Sequence, residues 1–206
     1  MILKRPIAGD VVVIRCADHL SSQADFVLGV IARDVEVGKL HLRDGIRIEL
    51  GWSVLTLRRE ADGGMTLHEP DFDEDPFTRL RSDVSATLTV IAAQNDVLRA
   101  TGARGVRVRF DQKIVLASGV LQLAHVYLQR SADVAKDDSG WFIGPVDEPP
   151  AEQLEAVYVY QLLSTRPEFL RVLALPSGYL AIFSDGTIES IVDEDDVEVW
   201  QQAPSP

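Results

Sequence analysis

The chain has 206 residues, 46% of them hydrophobic and 25% charged, and this composition excludes a disordered protein. A chain of this length can bury a hydrophobic core without a metal or a disulfide. Its single cysteine, Cys16, excludes an intramolecular disulfide and is typical of a reducing compartment. The net charge of −12 argues against nucleic acid or an anionic membrane as a partner.

The first 60 residues are predicted to form a small antiparallel sheet. Residues 11–14 and 26–32 are short apolar runs, each long enough for a strand. Residues 46–54 alternate apolar and polar side chains, which is the period of a half-buried strand. The Asp44-Gly45 pair is predicted to be a hairpin turn before this strand.

A domain boundary is predicted within residues 61–76. This segment combines turn formers and prolines with five acids between residues 69 and 76, a composition typical of a loop or linker. The chain would then consist of a β-rich N-terminal region, residues 1–75, and an α+β domain, residues 76–206.

The second region is predicted to contain both helices and strands. Residues 82–100 place apolar side chains on one helical stripe, with Ser82 or Asp83 as a cap and Gly102 after the end. Further strands are predicted at 106–110, 114–117, 121–128, 141–143, 178–183, 187–191 and 197–200, and further helices at 151–163 and 167–173. Because the strands cluster apart from the helices, the fold class is predicted to be α+β, with antiparallel sheets and a few helices.

Metal and thiol chemistry find little support in the sequence. Cys16 ends an apolar strand and is interpreted as a small buried hydrophobe. The four histidines, which are too far apart in sequence for a zinc motif, are His19, His41, His68 and His125. The first three positions of a calcium loop are matched by Asp71, Asp73 and Asp75, but Pro76 and Ser82 stand where that loop needs glycine and glutamate. We therefore expect no metal and no cofactor.

Two further groups of side chains have structural interpretations. The basic group Arg104, Arg107 and Arg109 is interpreted as the exposed side of a strand, since no adjacent aromatic pair offers a platform for a nucleic-acid base. A hydrolase using Asp137, Asp138 and His125 would require these groups to converge in one pocket, so this stays a third hypothesis.

One segment carries a family resemblance. The strand from His125 to Arg130, the turn Asp138-Ser139-Gly140-Trp141 and the later Tyr158 occur in the order typical of the bacterial immunity protein 33 family, also described as domain of unknown function 2185. Residues 113–192 resemble that family. Asp138 can accept backbone amide bonds, Gly140 can adopt a positive φ, and Trp141 can then enter the core.

The resemblance implies a protein that binds a cognate toxin and has no catalytic residues, and the charge distribution agrees with a basic partner. Residues 137–206 contain 14 acidic and only 2 basic residues, whereas residues 1–136 contain 18 of each. The candidate partner-binding residues are Asp137, Asp138, Asp147, Glu148, Tyr158, Tyr160, Asp193, Glu194, Asp195, Asp196 and Trp200.

Alternatives remain open at this point. The acidic surface could serve solubility alone, or the chain could be an adaptor or small-ligand-binding module that uses its N-terminal sheet. Since no signal peptide or membrane span is found in the sequence, we expect a cytoplasmic protein. The oligomeric state is left open.

Overall fold

The computed structural model describes residues 1–61, 63–132, 134–147 and 153–200. The chain divides into two compact units, residues 1–92 and 93–206. The described residues contain two six-stranded, mostly antiparallel sheets and three α-helices, so the predicted α+β class is confirmed. None of the helices in this part of the chain is both long and apolar enough to cross a membrane.

The first unit is a mixed sheet with a long helix packed against it. Its elements are β1 (Ile2–Ile7), β2 (Asp10–Arg15), α1 (Ser21–Glu36), β3 (Arg47–Leu50), β4 (Ser53–Arg59), β5 (Met65–Pro70), β6 (Leu80–Arg81) and the start of α2 (Ser85–Thr101). The strand order is β1-β2-β5-β4-β3, with β6 paired to β5. Val27 and Leu28 of α1 share one buried core with Leu57 and Met65 of the sheet.

Residues 26–32, predicted as a strand, belong to helix α1. The buried residues Val27, Leu28 and Ile31 recur at the three- and four-residue spacing of a helix face. Phe26 lies off that face and is 71% exposed. The prediction was wrong because a short apolar run does not by itself distinguish a strand from a helix.

Residues 46–54, predicted as one strand, instead span the β3–β4 hairpin. Its turn is at Gly51 and Trp52. Gly51 has a φ of +53°, and a Cβ added there would lie 2.7 Å from Cγ1 of Ile91. The predicted turn at residues 44–45 is present, but it precedes β3 and does not connect paired strands.

Residues 61–76, predicted as a loop or linker, contain β5, which lies between β2 and β4 in the sheet. Met65 and Leu67 alternate into the core, but the acids and prolines that follow them hide this pattern in the sequence. The sheet, predicted to be antiparallel, is mostly so, with one parallel pair between β2 and β5.

The helix predicted at residues 82–100 is confirmed as α2. Asp83 Oδ1 accepts an amide hydrogen of the first turn, and Gly102, with a φ of +67°, follows the last residue as predicted. Glu69 of β5 is buried and accepts the Thr87 amide at 2.8 Å. Burial raises the pKa of the Glu69 carboxyl above its usual value.

The second unit is built around the other sheet. Its elements are β7 (Lys113–Ala117), β8 (His125–Arg130), β9 (Asp138–Pro145), β10 (Leu154–Tyr158), α3 (Leu162–Thr165), β11 (Leu180–Ser184) and β12 (Thr187–Val192). The strand order is β10-β7-β9-β8-β11-β12, in which only the β7–β9 pair is parallel among the described strands. One face of this sheet is buried, and Phe183 there packs edge-on against Phe169 of a 3₁₀ turn, with ring centroids 4.9 Å apart.

Of residues 151–163, predicted as a helix, residues 151–152 lie outside the described part and 154–158 form strand β10. The run from Val157 to Tyr160 is β-branched and aromatic, which favours a strand. Helical structure begins only with a 3₁₀ turn at Val159–Gln161 and continues in α3, so the prediction was wrong for residues 153–158. The strand predicted at 121–128 is β8, which begins only at His125.

Two other predicted strands are absent from the described residues. At 106–110, Val108 and Phe110 are buried, but the Val106 amide donates to the Ala174 carbonyl and the segment is irregular. At 197–200, only an isolated bridge joins Glu198 to the end of β12. Both segments alternate apolar and polar side chains, but neither lies beside a strand with which it forms a continuous set of backbone hydrogen bonds in the described part of the chain.

Candidate partner-binding surface

The Asp138-Ser139-Gly140-Trp141 segment forms a bulge at the start of β9. Asp138 Oδ1 accepts the Gly140 amide at 2.8 Å, and Ser139 Oγ accepts the Trp141 amide at 3.2 Å. Gly140 has a φ of +80°, and a Cβ added there would lie 2.7 Å from the Ser131 carbonyl oxygen. Trp141 is buried. The segment therefore has a structural role that only glycine permits at its third position.

Trp141 and Arg130 both hold the loop that precedes β11. The indole Nε1 of Trp141 donates to the Leu173 carbonyl at 3.1 Å. Arg130, also buried, donates through Nη1 to the Leu175 carbonyl at 2.5 Å and to the Val106 carbonyl at 3.3 Å. Burial lowers the pKa of this guanidinium. Arg130 therefore has a structural role, in which its guanidinium donates hydrogen bonds to backbone carbonyls within the fold.

The sheet topology brings two of the predicted acidic groups to one end. Asp137 and Asp138 lie at the start of β9, and residues 193–196 follow the end of β12. Since β9 and β12 run in opposite directions, these two points lie at the same end, about 14 Å apart across three strand spacings. We call this group the acidic end; it comprises Asp137, Asp138, Asp193, Glu194, Asp195 and Asp196.

The carboxylates of the acidic end form no ion pair with a lysine, arginine or histidine in the described part of the chain. Among the described residues from 137 to 200, ion pairs join His125 to Asp147 and Glu189, and Arg166 to Glu168. None of these pairs includes a residue of the acidic end. Within the described residues, the Asp193 carboxylate accepts backbone amides of its own loop, at 3.0 Å. Its negative charge is therefore left for solvent or another molecule.

Two of the predicted aromatic anchors adjoin this end. Tyr158 is paired with Lys113 across β10 and β7, and Lys113 is paired with Asp138 across β7 and β9. The rings of Tyr158 and Tyr160 stack with centroids 5.9 Å apart, and both side chains are half-buried. The tyrosines and the acidic end thus lie within a few strand spacings of each other.

The remaining predicted site residues are placed elsewhere or not described. Asp147 follows the end of β9, at the opposite end of the sheet from Asp138, and pairs with His125 at 2.7 Å. Trp200 is half-buried beside β12, and its indole nitrogen is buried without a hydrogen-bond partner among the described residues. Glu148 lies outside the described residues.

The three groups considered for hydrolysis do not come together. His125 starts β8 and faces Ser184, whereas Asp138 starts β9 at the other end of the sheet. His125 is engaged by two carboxylates, those of Asp147 and Glu189. The geometry gives these groups no shared substrate position.

Sequence analysis missed a further feature, the second face of this sheet. Residues that share it across β7, β9, β8 and β11 and are each half-buried are Val115, Phe142, Tyr127, Leu180 and Ile182, which we call the outer face. The rings of Tyr127 and Phe142 are 5.9 Å apart, and the Tyr127 ring lies within 2.6 Å of where a Gly144 Cβ would be. The signal was present in strands that are apolar at consecutive positions, because such strands put apolar groups on both faces.

A family model described as the Imm33-like domain matches residues 93–201, just over half of the chain. This match includes residues 113–192, so the predicted resemblance to the immunity protein 33 family is confirmed. No curated protein and no solved structure matches the chain.

Proposed function

This chain belongs to the Imm33-like domain family, and from that premise we propose that it is a non-enzymatic immunity protein. It binds a cognate toxin, a basic protein made by the same cell or its kin, and neutralises it by covering its surface. Neutralisation by binding requires no catalytic group, which agrees with the separation of His125 from Asp137 and Asp138.

The observation that carries this proposal is the acidic end. Its six carboxylates lie at one end of a sheet and form no ion pair with a lysine, arginine or histidine among the described residues. Charges that are already paired within a protein contribute little to steering, whereas unpaired charges of one sign attract an oppositely charged partner over a Debye length of about 8 Å. The partner this surface favours is therefore positively charged.

Nucleic acid and anionic membranes are repelled by the same charges, so we propose a protein as the partner. A stable protein interface buries about 800 Å² on each side and depends on a few large anchors near its centre. Tyr158 and Tyr160 beside the acidic end supply such anchors, and Phe142 and Tyr127 of the outer face extend the apolar area.

Co-expression with the product of the adjacent open reading frame tests the proposal. We expect this chain to restore growth of a host that expresses the neighbouring toxin, and to copurify with it as a stoichiometric complex. The variant Asp195→Asn/Asp196→Asn removes two charges from the acidic end and should weaken both effects. The matched control Glu155→Gln/Asp185→Asn removes two exposed charges from the opposite end of the sheet and should not.

Failure to bind the toxin would contradict the proposed function. Binding that is equally strong in both double variants would contradict the acidic end as the contact surface. Catalytic destruction of the toxin, seen as a cleaved or modified product, would show an enzyme and not an inhibitor.

A further inference from the structure

The first unit contains a cavity of about 250 Å³ on its sheet. The residues that line it are Lys4, Val13, Arg15, Glu60, Ala61 and Thr66. Lys4 is paired with Val13, and Val13 is paired with Thr66, so these three side chains point from one face of β1, β2 and β5. This face is opposite to the one on which Val12 and Met65 join the core with α1.

Two cations, Lys4 and Arg15, and one carboxylate, Glu60, line this cavity. Lys4 and Arg15 are diagonal neighbours on β1 and β2, with Cβ atoms about 7 Å apart, so both can reach one bound group. Neither forms an ion pair with any described residue. Other arginines of the first unit do, as Arg5 pairs with Asp25 and Arg59 pairs with Asp10, both at close range.

The carboxylate in the wall of the cavity is turned to another partner. Glu60 Oε1 lies 3.3 Å from His68 Nε2, and it has no ion pair with Lys4 or Arg15. Glu60 forms no ion pair with either cation among the described residues, and two cations against one carboxylate leave the cavity lining with a net positive charge.

Thr66 places a buried hydroxyl group in the wall of the same cavity. Its side chain is 1% exposed, and its Oγ1 has no hydrogen-bond partner among the described residues. Buried hydroxyl groups are nearly always hydrogen-bonded, so an unpaired one in a cavity wall indicates a missing partner. A hydroxyl can donate to an oxyanion, which is the same kind of group that two cations attract.

We propose that this cavity binds a small oxyanion, the phosphate or carboxylate group of a small molecule. Lys4 and Arg15 balance its charge, and Thr66 donates a hydrogen bond. The volume is roughly eight times that of a water molecule in the liquid and lies below the range of drug-sized pockets. The occupant is therefore a compact molecule. This site lies outside the residues matched by the Imm33-like model, and it is independent of toxin binding.

The test is a titration of the 206-residue chain, monitored through the backbone amide resonances of its NMR spectrum. Inorganic phosphate and succinate are added separately, with the ionic strength held constant by sodium chloride. We expect saturable shifts at Lys4, Arg15 and Thr66 with at least one of these anions. Saturation by phosphate alone identifies a phosphate group as the ligand, and saturation by succinate alone identifies a carboxylate.

Variants distinguish binding of the anion in this cavity from general attraction of anions to a positively charged surface. Lys4→Met and Arg15→Met should each weaken binding at least tenfold, and Thr66→Val should weaken it without changing the charge. Lys39→Met and Arg33→Met remove exposed cations of the same unit that do not line the cavity and should have no effect. Because Lys4 is itself exposed, its replacement leaves the fold intact and keeps the test decisive.

Absence of saturable shifts with both anions would overturn the proposal. The same is true if the Lys4→Met variant binds as tightly as the unmodified chain, or if the Lys39→Met control weakens binding equally.

Discussion

Arg130 and Trp141 are cross-strand partners on β8 and β9, and the guanidinium lies 6.0 Å from the centre of the indole ring. Both side chains donate to carbonyls of the same loop, Arg130 to Leu175 and Trp141 to Leu173. Arg130 and Trp141, which both belong to the segment that resembles the family, thus together hold the loop that leads into β11. Their role is to position the sheet that carries the acidic end.

Arg130→Lys is expected to destabilise the chain by about 1–3 kcal/mol. A lysine keeps the buried charge, but its side chain is one atom shorter, so its ammonium does not reach the position of the Nη1 that donates to both the Leu175 and Val106 carbonyls. Urea unfolding followed by circular dichroism measures the change in the free energy of unfolding. Arg171→Lys, at a half-buried site, is the control and should alter it little. Equal stability of Arg130→Lys and the unmodified chain would show that these bonds are dispensable.

Gly140→Ala is expected to destabilise more than Gly119→Ala. Both glycines have a φ near +80°, so both substitutions carry the backbone strain of about 1 kcal/mol. At Gly140 the new Cβ also meets the Ser131 carbonyl oxygen at 2.7 Å, whereas at Gly119 it meets nothing within 4 Å. The same unfolding measurement compares the two, and an equal loss would mean that the bulge relaxes freely.

Glu198 is expected to give a pH-dependent contribution to stability. Burial alone would raise the pKa of Glu198, but hydrogen bonds from Ser190 and from the Trp200 and Ile191 amides outweigh it and lower the pKa below its usual value. A lowered pKa in the folded state adds stability that is present above the unfolded value and is lost as the pH falls through the folded one.

At pH 7, Glu198→Gln should therefore be less stable than the unmodified chain by about 0.5 kcal/mol, because solvent screens the exposed carboxylate. The difference should shrink as the pH falls below the ordinary glutamate value of about 4.3. Urea unfolding at several pH values measures it. A difference that does not vary with pH would contradict the cause given for the lowered pKa of Glu198.

Local chemistry predicted some parts of this fold better than others. The turn at Asp138 and Gly140 and the cap of α2 are formed by residues close in sequence. Their structure could therefore be predicted from a short segment of the chain. The placement of β5 depends on β2 and β4, and α1 depends on the sheet it covers, so short apolar runs there were ambiguous. The domain division at residue 75 stays a prediction.

The candidate surface was predictable in composition but not in arrangement. Acids were recognisable from sequence, but whether Asp147 lies with Asp138 or far from it depends on strand direction. The outer face was missed because each of its members, such as Phe142 and Ile182, is unremarkable alone. It exists only once four strands are aligned in register.

Phe142→Ala is expected to weaken toxin binding about tenfold, chiefly through faster dissociation, because it removes an aromatic anchor from the outer face. Phe26→Ala is the control, since Phe26 is a highly exposed phenylalanine on α1 of the first unit. Surface plasmon resonance against the purified toxin measures both rates. An unchanged dissociation rate for Phe142→Ala would place the interface away from the outer face.

The most direct measurement of the central claim is the association rate with the toxin at ionic strengths from about 0.05 to 0.5 M, obtained by stopped-flow fluorescence. If the acidic end guides a basic partner, Asp195→Asn/Asp196→Asn should lower the rate severalfold at low salt and flatten its dependence on ionic strength. Glu155→Gln/Asp185→Asn should leave both the rate and its slope close to those of the unmodified chain. Identical salt dependence for all three proteins would contradict the claim that the acidic end directs binding.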